Sequence, residues 1–289
     1  MRFAKGQGTG NDFVILPDPD GQIDLSAGLV AALCDRRFGI GADGVLRVVR
    51  SAAAGPDAAA GPAEWFMDYR NADGSVAEMC GNGVRVFARY LLDYGLATGP
   101  ELAIGTRAGI RVVQAEPDGD LTVDMGAATV LGTGAVQAGG EELAGLAVSV
   151  GNPHLACSVS QPVAAVDLSA PRLLSPAALG GEANVEVFRL TGRHEIEMRV
   201  YERGSGLTLS CGTGAVAAAV AAAESVGEWP ASPGGRWTVR VPGGQLAVTP
   251  SPAASLLTGP AEIVAAGELA AGWLAGRRPA GQPAGLSFR

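Results

Sequence analysis

The sequence predicts an α+β protein built as two related lobes. Three observations predict it: many short alternating apolar segments, one prominent apolar helix in each half, and a set of motifs that occurs twice in the same order. At 289 residues the chain is long for one small core and comfortable for two lobes. Apolar residues make up 47%, the share of a well-buried globular protein.

In chain order, residues 3–5 open an apolar strand that is broken by Gly6, Gly8 and Gly10 and resumes at 13–16. Residues 25–37 read as a helix, with Asp24 or Ser26 as N-cap and Gly39 as its stop. Residues 45–50 and 65–69 alternate as strands, and the Ala/Gly/Pro tract 51–62 between them reads as a tolerated surface loop. A helix over 84–94 follows, then strands at 102–104, 110–114 and 121–125. The second half offers strands at 146–150, 155–159, 185–190 and 195–201, a helix over 215–226, and strands at 237–241, 245–249 and 261–265. The tail after Trp273 is rich in Gly and Pro and reads as loose. One prominent helix per half among many strands favours α+β lobes over a Rossmann sheet.

Charge and cysteine usage narrow the function. Against 29 acidic residues stand 21 basic ones, a formal charge of −8 that argues against nucleic acid or an anionic membrane as main partner. The first residues lack the apolar stretch of a signal peptide, and the apolar run 215–223 is far short of a membrane span, so a cytoplasmic protein is expected. Cys34, Cys80, Cys157 and Cys211 make no disulfide framework and are expected as thiols. Only His154 and His194 occur, with no Cys-x-x-Cys or His-x-x-x-His spacing, so no metal site is expected.

The internal repeat carries the functional signal. Cys80-Gly81-Asn82-Gly83 precedes an apolar helix in the first half, and Cys211-Gly212-Thr213-Gly214 precedes one in the second. Upstream of each cysteine a strand ends in tyrosine, Tyr69 and Tyr201, and further upstream lie Gly10-Asn11 and Gly151-Asn152. Two related halves with one cysteine each invite a pseudo-twofold arrangement in which the thiols meet between the lobes. Each would sit at a helix start, where unpaired N–H groups and the positive dipole end favour an anion. That field is expected to lower a thiol pKa from about 8.5 toward neutrality. The glycines would let the backbone approach the ligand. A symmetric pair of thiols around one carboxylate suits inversion of an α-carbon: one thiolate removes the proton from one face and the opposite thiol delivers one to the other. Backbone donors would stabilise charge building on the carboxylate, and the two thiols would titrate as a unit.

Other residues have plainer readings. Cys34 and Cys157 read as small buried hydrophobes. The Gly39–Gly44 stretch matches G-x-G-x-x-G by letter but follows a helix, without the strand a dinucleotide site requires. His154 reads equally as a core or turn histidine and as a site residue, and His194 as a surface hairpin residue. Asn11, Asn71, Asn152 and Asn184 would each pass as turn residues. Glu202-Arg203 could be a solvated pair, although their place before Cys211 favours a substrate role.

At these residues the chain closely resembles the diaminopimelate epimerase family. The matching segments are KGQGTGNDF from Lys5, DRRFGIGADG from Asp35, YRNADGSVAEMCGNG from Tyr69, GNPH from Gly151, Asn184 with its strand, YERG from Tyr201, SCGTG from Ser210, VPGG from Val241 and LTG from Leu257. The resemblance spans essentially the whole chain. It implies interconversion of LL- and meso-2,6-diaminopimelate in lysine and peptidoglycan-precursor biosynthesis, without pyridoxal phosphate, metal or other cofactor. Cys80 would be proton donor and Cys211 acceptor in the LL-to-meso direction, tuned by His154 and Glu202. Gly81, Asn82, Gly212 and Thr213 would hold the reacting carboxylate through backbone and side-chain donors. Asn11, Asn71, Asn152, Asn184, Glu202 and Arg203 would hold the rest of the substrate, with the Arg203 fork on the distal carboxylate and Glu202 on an ammonium.

The resemblance also implies two lobes, each a strongly curved, mostly antiparallel sheet around a central helix. Residues 1–124, completed by 266–289, would form the first lobe, 125–265 the second, and a homodimer is common in the family. Gln7 stands where a His is frequent, Gly44 where many members carry a substrate-contacting Gln, and Leu207-Thr208 replaces a frequent Glu-Thr. The alternatives are a related two-cysteine racemase of histidine, proline or hydroxyproline type, a binding protein that has lost catalysis, and a cysteine hydrolase. For the last, no His-Asp/Asn relay is visible and one cysteine would be idle.

Overall fold

Parallel strand pairs in an otherwise antiparallel sheet need crossover connections, and two of these connections are the central helices. The computed structural model describes residues 1–55, 62–175, 179–230 and 235–275. In the first lobe β1 (Arg2–Gly8) and β2 (Asn11–Pro17) form a hairpin. Helix α1 (Ala27–Cys34) then crosses to β3 (Gly44–Arg50), parallel to β2, and β4 (Trp65–Asn71) returns antiparallel. Helix α2 (Gly81–Asp93) crosses to β5 (Glu101–Thr106), parallel to β4, and β6 (Gly109–Ala115) and β7 (Leu121–Asp124) follow antiparallel.

The second lobe repeats the plan. Strands β8 (Thr129–Ala138), β9 (Glu141–Ser149) and β10 (Pro153–Ser158) run antiparallel in turn, and the short β11 (Arg172–Leu173) adds to β8. Strand β12 (Asn184–Gly192) lies parallel to β10, β13 (Glu195–Glu202) antiparallel to β12, and β14 (Gly206–Thr208) beside β13. Helix α3 (Gly212–Ser225) crosses to β15 (Trp237–Val241), parallel to β13, and β16 (Gly244–Thr249) and β17 (Leu256–Gly259) follow antiparallel. Strand β18 (Glu262–Glu268) then pairs with β1, from Gln7↔Glu262 to Arg2↔Glu268, ahead of the short helix α4 (Ala271–Ala275).

The chain thus passes between lobes twice. After β7 residues 125–128 lead into β8, and after β17 residues 260–261 lead back to β18, while β7 and β17 pair with each other at the junction. Strand β18 is to β1 and β2 what β8 is to β9 and β10. The return to the first lobe therefore starts at Glu262, four residues ahead of the expected 266. The remainder of the expected return, 276–289, and residues 56–61 of the Ala/Gly/Pro tract lie outside the described residues.

One apolar core runs through both lobes, with Val84, Phe87 and Leu91 of α2 and every residue from Ala215 to Ala223 of α3 buried in it. A helix apolar on every side belongs inside a protein. The alanines of α3 let the curved sheet close around it. Two satellite clusters cover the outer faces: α1 packs on Val14, Leu16 and Val45, and the segment after β10 puts Val163, Val166 and Leu168 on Leu155 and Val187. Cys34 and Cys157 belong to these clusters, so both are small buried apolar groups.

Some boundaries differ from expectation for local reasons. Helix α1 starts after Ser26, whose Oγ accepts from the Leu29 N–H, but stops at Cys34. There the Asp35 carboxylate accepts the N–H groups of Arg37 and Phe38, competing with helix continuation. Helices α2 and α3 each start three residues earlier than predicted, because the cysteine itself is the cap. Strand β8 escaped notice because Gly132 and Gly134 break its apolar alternation.

Overpacking α3 tests this account. Ala219→Leu places a larger side chain where the wild-type residue is fully buried, and should destabilise the protein by about 1–3 kcal/mol in urea unfolding.

Candidate active site

The two central helices begin alike. Cys80 (φ −140°, ψ 121°) and Cys211 (φ −126°, ψ 120°) are extended N-cap residues whose sulfurs accept the N–H of Gly83 and Gly214, each at 3.4 Å. The two starts face each other across the lobe junction. A Cβ on Gly212 would lie 3.3 Å from Gly81 Cα and 3.0 Å from Leu257, and one on Gly81 would lie 2.8 Å from Met125. These glycines are needed so that the helix starts can approach one another, a tighter demand than the approach to a ligand read from the sequence. Gly214 has a separate reason, since its Cβ would meet Glu186 Oε1 at 2.6 Å.

Between the starts lies a cavity of about 450 Å³, of a size suited to a small ligand. Every residue predicted for the site lines it except His154. That histidine is fully buried behind the wall, with Nε2 3.0 Å from Asn152 Oδ1 and Nδ1 2.7 Å from Glu186 Oε1. It reaches the cavity only through those neighbours.

Several lining side chains are held in place by the protein. Asn11 Nδ2 donates to Asp43 at 2.8 Å, which turns its carbonyl toward Cys80, 3.5 Å from Sγ. Asn71 Nδ2 donates to Ser75 Oγ at 3.0 Å, and Asn184 Oδ1 accepts the Arg203 N–H at 2.9 Å. The Asn82 side chain is spent entirely on structure. Its Nδ2 reaches across the junction to Ser210 O and Oγ at 3.2 and 3.3 Å, and its Oδ1 accepts from Arg85 Nη2 at 2.9 Å. That leaves Asn82 its backbone N–H to offer an anion in the cavity.

Burial dominates the electrostatics. It pushes the Cys80 thiol up to about 11 despite the Gly83 N–H, with the Glu202 carboxylate adding to the rise. Burial, then Glu202 and Glu186, raise Cys211 as well. The predicted lowering by the helix starts is thus outweighed by loss of water and by nearby carboxylates. Burial also raises Glu202, against a hydrogen bond donated by the Thr208 hydroxyl. Arg85 is wholly buried, its guanidinium held by neutral oxygens of Thr9, Asn82, Gly81 and Pro260, and burial lowers its pKa to about 10.

Sequence reasoning overlooked Arg111, Ser205 and Ser210 in the lining and Glu186 behind it. Ser210 opens the quoted SCGTG segment without being singled out there, the others have no local motif, and Glu186 could have been found only as a charged residue within the apolar strand 185–190. The departures from the family pattern are accommodated. Gln7 accepts the Gly10 N–H at 2.9 Å and so braces the β1–β2 turn. A Cβ on Gly44 would strike Arg70 O at 2.5 Å and the Tyr69 ring at 2.8 Å, and Leu207 is exposed. Among the described residues no group of three or more metal-binding side chains occurs, and no helix is long and apolar enough to cross a membrane.

This architecture defines a class of two-lobed proteins. Solved structures that share the fold include a probable proline racemase from Agrobacterium radiobacter (TM-score 0.65, 14% identity, 93% of each chain covered) and a phenazine biosynthesis protein of the PhzF family from Bacillus anthracis (TM-score 0.64, 15% identity, 93% of this chain and 99% of that one). Within that class the sequence is specific: the diaminopimelate epimerase family profile matches residues 3–131 and 146–264, and the chain belongs to that family. Similar proteins named diaminopimelate epimerase come from Thermobifida fusca (60% identical over 274 residues, 93% of this chain and 98% of that one) and Mycobacterium ulcerans (50% over 289 residues, 94% and 98%).

Two tests address the site's construction. Gly212→Ala asks the helix starts to give way by a few tenths of an ångström and should lower kcat/KM, by less than the roughly 10²-fold of a full ångström, while the fold survives, as checked by circular dichroism and steady-state assay. Asp12, beside Asn11, is buried enough to push its pKa up, yet its bonds to Arg36 and Lys5 hold it at about 2. A depressed carboxylate stabilises the folded state above its unfolded pKa, so this contribution should fade as pH falls from about 4 to about 2. Asp12→Asn should therefore destabilise the protein in urea melts at pH 7 and have little effect at pH 2.

Proposed function

We propose that this protein interconverts LL- and meso-2,6-diaminopimelate by a two-thiol mechanism that needs no cofactor. The observation that carries the reading is the pair of cysteine-capped helix starts facing each other across one cavity, in a chain 60% identical to a protein named diaminopimelate epimerase. Substrate would enter with its reacting carboxylate between the helix starts. The N–H groups of Gly81, Asn82, Gly212 and Thr213 belong to first helical turns and have no intrahelical partner. In the LL-to-meso direction the Cys211 thiolate takes the α-proton, breaking C–H and forming S–H. The electron pair spreads into the carboxylate, where the helix-start donors stabilise it. The Cys80 thiol then gives its proton to the opposite face and is left as thiolate. Glu202 and Arg203, both lining the cavity, suit an ammonium and the distal carboxylate.

The same reading places the enzyme in lysine and peptidoglycan-precursor biosynthesis, in the cytoplasm, as a homodimer. Strand β18 supports the last point: among the described residues it pairs only with β1, and Val264 stands 56% exposed on it.

Reduced protein incubated with LL-diaminopimelate in D2O, with nothing added, should yield meso product carrying deuterium at the α-carbon. A verified thiol form that gives none would redirect the substrate reading to other amino acids. Cys80→Ala and Cys211→Ala should each lower turnover by roughly 10²–10⁴-fold, whereas Cys34→Ala, remote from the cavity, should leave it near wild type.

A further inference from the structure

The two asparagines that follow the repeated glycines, Asn11 and Asn152, are turned in opposite senses. Asn11 presents its carbonyl to Cys80, because its amide nitrogen is engaged by Asp43 at 2.8 Å. A carbonyl can only accept, so it favours Cys80 as S–H. Asn152 does the reverse. Its carbonyl faces His154 Nε2 at 3.0 Å, and its amide nitrogen donates to Thr213 Oγ1 at 3.4 Å. The Thr213 oxygen in turn lies 3.4 Å from Cys211 Sγ. With its oxygen accepting from Asn152, the Thr213 hydroxyl has its proton to give to the sulfur, and a sulfur that accepts is favoured as thiolate.

What fixes this polarity is one step further back. Asn152 Oδ1 requires a proton on His154 Nε2, and the other ring nitrogen lies 2.7 Å from Glu186 Oε1. Both side chains are wholly buried, and Glu186 Oε2 has no hydrogen-bond partner. Whether the proton between them sits on nitrogen or oxygen, the pair carries no net charge and Nε2 stays a donor. A bare carboxylate there would instead be an uncompensated buried charge.

We propose that Glu186 is a positioning residue: by sharing one proton with His154 it locks the chain Glu186–His154–Asn152–Thr213–Cys211 in one sense, so that the single thiolate of the cysteine pair resides on Cys211. This rests on the two-thiol reading above and assigns its starting proton state. The titratable groups that bear on Cys211 are Glu202 from β13, Glu186 from β12 and Tyr69 from β4, with His154 from β10 bearing on Glu202. Glu202 raises both sulfurs and also accepts from Cys211, a pull toward S–H that the Thr213 hydrogen bond has to exceed. Arg85 favours a thiolate at Cys80, but through space, since its hydrogen bonds go to oxygens and none to the sulfur. Glu186 as a bare charge would also disfavour a Cys211 thiolate; with its charge offset by the shared proton, the Thr213 hydrogen bond decides.

Site-resolved alkylation by iodoacetamide across pH, read by mass spectrometry on the intact protein, separates these accounts. In wild type Cys211 should show the lower midpoint. Glu186→Leu removes the lock and should raise the Cys211 midpoint by about one unit, a roughly tenfold slower alkylation below it, with Cys80 unmoved. Glu186→Gln can donate an amide N–H to Nδ1 and keep Nε2 a donor, so its profile should match wild type; being isosteric, it serves even where the Leu variant folds poorly. A fall of the Cys211 midpoint in either variant would show Glu186 acting as bare charge and overturn the proposal. So would an unchanged Cys211 in Glu186→Leu, or equal movement of both cysteines. The assay needs no turnover, so an enzyme inactive on diaminopimelate would still report on Glu186.

Discussion

Everything at the centre of this molecule follows from bringing two helix N-termini into contact. Such ends repel: each carries unpaired N–H groups and the positive end of a dipole. The approach of Gly212 to Gly81 therefore concentrates positive potential that the fold must hold together by other means. The cysteine sulfurs take one N–H each, the Asn82 amide bridges to Ser210, and the Met125 and Leu257 side chains close over the glycines from the two sides of the junction. An anion placed between the ends relieves the repulsion, so a carboxylate substrate completes an arrangement that is otherwise unfavourable.

Arg85 shows how much of the interior serves this contact. A buried guanidinium without a carboxylate partner is costly, and it is retained here through four neutral oxygens drawn from the β1–β2 turn, the start of α2 and the second crossing. It thereby ties Thr9 and Pro260 to the helix that carries Cys80. Burial around the two thiols has the opposite sign of effect from the helix starts and exceeds it. On the two-thiol reading, proton transfer would then depend on hydrogen-bond direction at each sulfur and on the charge that substrate itself brings.

Much of this was legible in the sequence because it was written twice. The repeat of Gly-Asn, strand-ending Tyr and Cys-Gly-x-Gly located both sulfurs and the lobe plan, since a duplicated motif must occupy equivalent places in a pseudo-twofold fold. Helix starts were misjudged because a cysteine is a rare cap and the apolar signal begins only a turn later. Strand β8 was missed because Gly132 and Gly134 break its alternation, although its partner β9 follows at once, and the four-residue β17 because it is held by β7, a partner distant in sequence. The roles of Asn82 and His154 were unreadable for the same reason. Which way an amide or imidazole faces is set here by Ser210 and Glu186, both distant in the chain, with Arg85 one turn along α2 fixing the other end of the Asn82 amide.

The double crossing between lobes bears on how the protein is made. Strand β1 finds β2 at once, but its second partner β18 is not synthesised until nearly all of the second lobe has emerged. The nascent first lobe must therefore wait with an open β edge and an unfinished core, while the second lobe, which has its own outer strand in β8, can close first. Vectorial synthesis and order of completion run in opposite directions, and a chaperone that shields a bare strand edge would have its substrate here.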